Sequence, residues 1–395
     1  MNNGNEKKVA FINQRYGLEV NGGSEYYTRI VAEHLSDIYD VHVITTKAVD
    51  YMTWEDFYTE DYEEINNVKV HRFSVDCPRR MKDFNKINGR ILNDPAHTIK
   101  DEEEWIDEQG PLSSKLVAYI RDHADEYDVF IFVTYLYYTT SKGLPQVAEK
   151  SILIPTAHDE PYIYFKVFED IFRMPRAIVF LTEEEKMFVQ TKFRNKNVLN
   201  DTMAVGIDVP TEIDADKFCS DHKVDDYIIY VGRIDEGKNC HVLFRYFDEY
   251  KKRNPGNLKL LLMGKSVIDV PKNPDIINLG FVSEEEKYNG ISGAKALILP
   301  SKFESLSISV LEALSICTPI IVDGECEVLK GHCVKSNAGL YYRNYFEFEG
   351  CLNYILNNPE EAKAMGENGK KYVDNNYTWT VIIDKFKTMI ETVCS

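Results

Sequence analysis

Positive charge is scarce in this sequence. Lysine and arginine total 46 against 64 aspartates and glutamates, a formal net charge of −18. Nucleic-acid binding needs a clustered cationic face, and general adhesion to anionic membranes needs the same, so the balance argues against both. It leaves room for a local basic pocket that holds one phosphate group. Cysteine pairing is missing as well. The eight cysteines are scattered, with no CxxC pair and no Cys/His set at zinc-finger spacing. Several lie in apolar runs, as buried free thiols do, which predicts a reducing compartment. No apolar run approaches the length of about eighteen residues that a membrane helix needs. The opening stretch, "MNNGNEKKVAFINQRYG", is polar and then briefly apolar, unlike a secretory signal. The expectation is a cytoplasmic protein, at most peripheral at the inner face of a membrane. Short-period repeats and low-complexity tracts are absent too.

What the sequence does hold is hydrophobic material, 44% of residues, enough for real cores in a chain long enough for two or three domains. Short apolar runs alternate with amphipathic segments of helical length. The early runs are "KVAFIN", "YDVHVITT", "VKVHRFSV", "YDVFIFVT", "SILIPTAH" and "AIVFLT". The later ones are "YIIYVGR", "KLLLMG", "IINLGFV", "AKALILP", "TPIIVD" and "AGLYY". Unbroken Val/Ile/Leu/Phe runs predict strands buried on both faces, and helices between them predict parallel sheets. About twelve runs are too many for one ordinary open sheet. The polar stretch "GIDVPTEIDADKFCSDHKVDD" near the middle divides them. The predicted class is therefore α/β, with two Rossmann-like domains. The predicted boundaries are 1–207 for the first domain, 208–224 for a linker and 225–376 for the second domain. An amphipathic helix over 377–395 is expected to pack back on the first. Residues 76–111, polar, acidic and interrupted by proline, read as a long functional or disordered loop.

Four segments carry candidate chemistry. "NGGSE" follows the first strand and opens a helix. Gly22 and Gly23 have no side chains, so a ligand can approach their backbone beside a helix N-terminus suited to phosphate. The pattern is not GxGxxG, and an ordinary glycine turn explains it as well. "GRIDEGKN" places Arg233 and Lys238 directly after a strand, where open α/β sheets bind ligands. Two cations there suit a diphosphate and the charge of a departing leaving group; taken alone, they also fit a solvated loop. "KFESLSISVLEAL" sets Glu304 in a loop after a strand and Glu312 in the helix that follows. Both carboxylates can accept hydroxyl hydrogen bonds from a sugar or ribose, or can be structural ion-pair partners. "HDE" ends a strand with His158, whose imidazole suits a substrate hydroxyl better than a metal, because consecutive residues do not converge on one ion. The "DAD" at 214–216 matches a metal-binding Asp-x-Asp, yet it lies in the polar stretch and not at the end of an apolar strand, so it reads as solvated charge.

Combined and in this order, the segments resemble retaining glycosyltransferase family 4. "NGGSE", "HDE", "GRIDEGKN" and "FESLSISVLEAL" fall where that family has its motifs, and Glu304 and Glu312 fit its Glu-x7-Glu pattern. The resemblance implies the GT-B fold, two Rossmann-like domains facing across a cleft. It implies a metal-independent hexosyltransferase that moves a sugar, with retention, from a UDP- or GDP-sugar to a glycan or lipid-linked acceptor, as in polysaccharide biosynthesis. No cofactor is implied, because the nucleotide-sugar is a substrate. By the same resemblance Arg233 and Lys238 hold the diphosphate, with Gly22 and Gly23 approaching from the other domain. Glu312 takes the ribose and Glu304 the donor sugar. Leu306 and Ser307 offer backbone contacts to phosphate, Phe281 and Val282 lie beside the base, and His158 meets the transferred sugar. His158, Arg233, Lys238 and Glu304 form the implied catalytic set. The family often has Gly at the position of Ser307 and Pro at that of Ser309, which puts the shape of this loop in question. Two alternatives remain: a nucleotide-sugar epimerase of the same fold, against which the Glu-x7-Glu pattern argues, and a catalytically silent sugar-nucleotide-binding subunit, against which the intact set argues.

Overall fold

The computed structural model describes residues 7–20 and 22–395. The first six residues of the polar opening stretch, and Asn21 of "NGGSE", lie outside the described residues. The chain forms two compact units: Met1–Val205 with Ile382–Ser395, and Gly206–Val381.

The first unit is built on an eight-stranded sheet. Its strands are β1 (Lys8–Ile12), β2 (Asp40–Thr46), β3 (Tyr62–Ile65), β4 (Val68–Phe73), β5 (Val129–Val133), β6 (Ser151–Ile154), β7 (Ala177–Phe180) and β8 (Leu199–Thr202). Their order is β3-β4-β2-β1-β5-β6-β7-β8, and every pairing is parallel except β3 with β4. The six apolar runs read from the sequence are the six interior strands. The two strands that reading missed, β3 ("YEEI") and β8 ("LNDT"), are the two edges. An edge strand is not enclosed, and charge there discourages pairing with other chains, so no apolar run marks it. Asn66 and Asn67, both at positive φ, make the tight turn that folds β3 back on β4.

The second unit holds a six-stranded, all-parallel sheet: β9 (Tyr227–Val231), β10 (Lys259–Met263), β11 (Ile276–Gly280), β12 (Leu297–Leu299), β13 (Ile320–Asp323) and β14 (Gly339–Tyr342). Its order, β11-β10-β9-β12-β13-β14, is that of a doubly wound dinucleotide-type fold. The chain winds outward in opposite directions from β9 and from β12, which opens a crevice at their carboxyl ends.

Two expectations are corrected. Residues 76–111 are not a loop. They form the helices Met81–Asn93 and Ile99–Gln109, the second closed at its N-terminus by a reciprocal bond pair between Thr98 and Asp101. Trp105 is fully buried, stacked on Tyr162 and edge-on to Phe165. Arg79 is buried too, bonded to Gln109 and the Met52 carbonyl. A strand-oriented reading passed over this segment because its apolar residues are few and spaced at helical intervals. The stretch 208–224 is likewise not an open linker. The helix Ala215–His222 occupies about half of it, and Asp214 caps that helix by accepting from the Lys217 amide at 2.8 Å. The first acid of "DAD" is therefore a helix cap. The last helix runs Trp379–Val393; its residues from Ile382 onward belong to the first unit, where Lys385 donates to the Thr202 carbonyl. Among the described residues no helix is long and apolar enough to cross a membrane.

Candidate active site

The second unit places its charged residues at the crevice between β9 and β12. Backbone crowding shapes the entrance. Gly264, at φ 144°, ends β10 so close to the Gly232 carbonyl that a β-carbon would fall 1.9 Å from that oxygen. Glycine is required there by contact as well as by conformation. The loop after β9 then turns around Asp235, a largely buried carboxylate that the sequence reading did not single out. Asp235 accepts from the Lys238 amide at 2.6 Å and pairs with the Arg233 guanidinium. Asn239, in the left-handed region at the start of the next helix, donates to the Pro300 carbonyl at 3.1 Å. That bond ties the β9 loop to the β12 loop.

Glu304 arrives from the β12 loop and meets Lys238, with Nζ 2.6 Å from Oε1. Arg233, Lys238, Asp235 and Glu304 thus form one connected cluster, and Arg233 keeps nearly half of its side chain exposed. Glu312 faces a different cation. It lies buried in the helix Ile308–Ser315, 2.7 Å from Lys287, which also bonds Glu284. Burial raises Glu312 above the usual carboxylate range, with Lys287 pulling against it. Lys287 is held above the usual lysine range: burial opposes its charge, but Glu312 and Glu284 outweigh it. Lys287 also escaped the sequence reading, since nothing in "SEEEKYNG" distinguishes it from a solvated charge.

Ser307 precedes that helix at φ 67°. This left-handed turn is the conformation a glycine adopts freely, so the loop keeps a glycine-like shape with serine in place. Leu306 buries its side chain, leaving only its backbone for a ligand. Phe281 follows β11 with three-quarters of its surface exposed, and Val282 is half-buried beside it.

In the first unit, Gly22 caps the helix Gly23–Leu35. A β-carbon on Gly22 would lie 2.1 Å from a Glu25 carboxylate oxygen, whereas one on Gly23 would meet open space. Glu25 is buried against Arg15, whose Nε donates at 3.0 Å, and Gln14. Burial opposes its charge, but Arg15 keeps it below the usual carboxylate range. The "NGGSE" glutamate therefore locks the glycine turn. His158 follows β6, two strands away from β1, so roughly 10 Å of sheet separates it from the glycines. Its ring lies 3.5 Å from Glu160 and 3.4 Å from the Thr156 carbonyl. Thr134 and Thr156 follow the adjacent strands β5 and β6, both at positive φ and bonded through their hydroxyls at 3.1 Å. Branched residues in this region are rare and concentrate at functional sites.

Behind His158 lies Glu185, fully enclosed, which accepts from the Ala157 and Leu181 amides at 2.6 Å each. Burial pushes it up to about 8. The available sequence signal was "TEEE", a Thr with Glu three residues on at a helix start; that glutamate bonds the backbone of its own Thr182 cap and also reaches the Ala157 amide beyond β6.

A family model described as glycosyl transferases group 1 matches residues 213–372, which lie within the second unit. The capsular polysaccharide biosynthesis glycosyltransferase CapM of Staphylococcus aureus is 24% identical over 190 residues, 43% of this chain and 48% of that protein. The chain spans between about a quarter and about half the length of the curated relatives it matches. Sucrose-phosphate synthase from Thermosynechococcus elongatus superposes with a TM-score of 0.71 at 15% identity, covering 98% of this chain and 99% of that one. Anabaena HepE, solved with UDP and glucose, gives 0.70 at 13% identity over 98% and 100%. The fold is GT-B.

Proposed function

We propose that the protein is a glycosyltransferase that moves a hexose from a nucleotide-sugar to a glycan or lipid-linked saccharide, with retention of anomeric configuration and without a metal. The observation that carries the reading is the Arg233–Asp235–Lys238–Glu304 cluster at the β9/β12 crevice of a group 1 domain. Arg233 and Lys238 both keep exposed surface for a diphosphate. Lys238 is paired with Glu304, so the amine serves phosphate while Glu304 addresses the sugar hydroxyls. Bond cleavage leaves a nucleoside diphosphate with an extra negative charge, and two fixed cations stabilise that charge as it develops. Glu312 serves the ribose, Leu306 and Ser307 offer backbone to phosphate, and Phe281 with Val282 flanks the base. In the first unit, His158 with Glu160 beside it is the candidate for the transferred sugar, and Gly22 and Gly23 are candidates for phosphate.

Uracil is the proposed donor base, by likeness to HepE, which is solved with UDP and glucose. Retention and assignment to family 4 rest on the Glu-x7-Glu resemblance, and the kinship with CapM supports a role in polysaccharide assembly. A thermal-shift panel of UDP-, GDP- and other sugar nucleotides tests the reading, since ligands that bind the folded state raise its melting temperature. A hit followed by transfer of labelled sugar with retained configuration supports it. No stabilisation by any sugar nucleotide overturns it.

A further inference from the structure

The turn between Glu304 and Glu312 is strained. Ser307 sits at φ 67°, a region unfavourable for a residue with a β-carbon, and it makes no side-chain capping bond to the helix it precedes. Such a conformation persists where its surroundings over-determine it. The neighbouring carbonyl, of Leu306, lies 2.8 Å from Nε2 of His332.

That contact fixes a sequence of hydrogen bonds. A carbonyl only accepts, so Nε2 carries the ring proton and Nδ1 keeps its lone pair. The Tyr372 hydroxyl, 3.1 Å from Nδ1, donates to it. Having donated its proton there, Tyr372 accepts from the Tyr377 hydroxyl at 2.9 Å. The Tyr377 carbonyl accepts the Ile207 amide at 2.9 Å. His332 is completely buried, and burial pushes it down to about 4, with Lys335 and Glu304 the charged groups that act on it. The ring is thus neutral and its tautomer defined.

We propose that His332 is a positioning residue for the Glu304–Glu312 loop. Braced by Tyr372 and Tyr377, it clamps the Leu306 carbonyl and holds Ser307 in the left-handed turn, doing for serine what a glycine would do unaided. Its consequence for sugar transfer rests on the glycosyltransferase reading; its consequence for the loop does not.

Amide hydrogen exchange of the ligand-free protein reads the loop directly. His332→Leu is expected to raise exchange across residues 304–310 about tenfold or more, since it releases the turn that Ser307 holds only under strain. His332→Gln, which restores one donor and one acceptor, recovers most of the protection. In a Ser307→Gly background the strain is gone, so the same His332→Leu change raises exchange by no more than about twofold. In steady-state kinetics His332→Leu raises the donor KM and leaves the acceptor KM unchanged. Should that variant not fold, Tyr372→Phe removes only the brace on Nδ1 and gives a smaller rise of the same kind. Unchanged loop exchange in His332→Leu, or an equal rise with glycine at 307, overturns the proposal. A loop that loosens as expected in a protein that binds no sugar nucleotide upholds the clamp and removes the glycosyltransferase reading instead.

Discussion

Lys238 and Glu304 are 66 residues apart in sequence, yet Nζ and Oε1 stand 2.6 Å apart at the crevice between β9 and β12. The lysine follows one strand and the glutamate follows its neighbour, and the two loops are stitched together by Asn239. In the proposed reaction the amine turns toward phosphate and the carboxylate toward a sugar.

On the proposed function the two glutamates differ in what they recognise. Glu312→Ala is expected to weaken UDP and UDP-sugar alike by roughly tenfold or more, the worth of a hydrogen bond to a charged group, because ribose is common to both. Glu304→Ala spares UDP affinity while transfer falls by a similar factor or more. Calorimetric titration of both mutants with both ligands decides it; equal losses of UDP affinity would refute the division.

Asp235 orients both cations without needing to touch a ligand. Asp235→Ala should lower kcat/KM roughly 10- to 100-fold by releasing Arg233 and the Lys238 turn, with Asp235→Asn intermediate. A folded Asp235→Ala enzyme with undiminished kcat/KM would show that the cations hold their places unaided.

With two cations in the site, transfer is expected to proceed in EDTA at an undiminished rate. Loss of turnover on chelation, restored by magnesium or manganese, would return attention to acidic metal ligands.

Two buried groups give stability a dependence on pH of opposite sign. Burial pushes His42 down to about 4 from 6.5, against the pull of Asp40. Its folded form binds fewer protons than its unfolded form, so its contribution is present above pH 6.5 and is lost as pH falls toward 4, about 3 kcal/mol in all. Glu185, raised to about 8 from 4.5, holds its proton better when folded, so its contribution falls as pH rises from 4.5 through 8. Denaturant melts across pH 4–9 should show a flatter acid limb for His42→Gln and a flatter limb between pH 6.5 and 8 for Glu185→Gln. Variants that track the wild-type curve in those windows would contradict the assignment.

Trp105 belongs to the core of the first unit. Trp105→Ala is expected to cost about 3–5 kcal/mol in chemical denaturation, because it leaves a large cavity against Tyr162 and Phe165. Unaltered stability with a changed acceptor KM would instead restore residues 76–111 as a recognition loop.

The sequence determined the interior strands, because strands enclosed on both faces must be continuously apolar. It also determined the order of "NGGSE", "HDE", "GRIDEGKN" and "FESLSISVLEAL". It was silent on β3 and β8, whose edge positions remove the demand for apolar residues. It misread residues 76–111, where a few residues at helical spacing suffice to bury Trp105. Partners were decided by tertiary structure alone. Asp235, Lys287 and His332 look in sequence like any other polar residues, and Glu185 like an ordinary helix-capping acid. Only the crossover of a doubly wound sheet brings Lys238 to Glu304, and only burial turns a histidine 26 residues from Leu306 into the group that holds its carbonyl. Burial and long-range pairing depend on where the chain returns to, and no local pattern of residues carries that information.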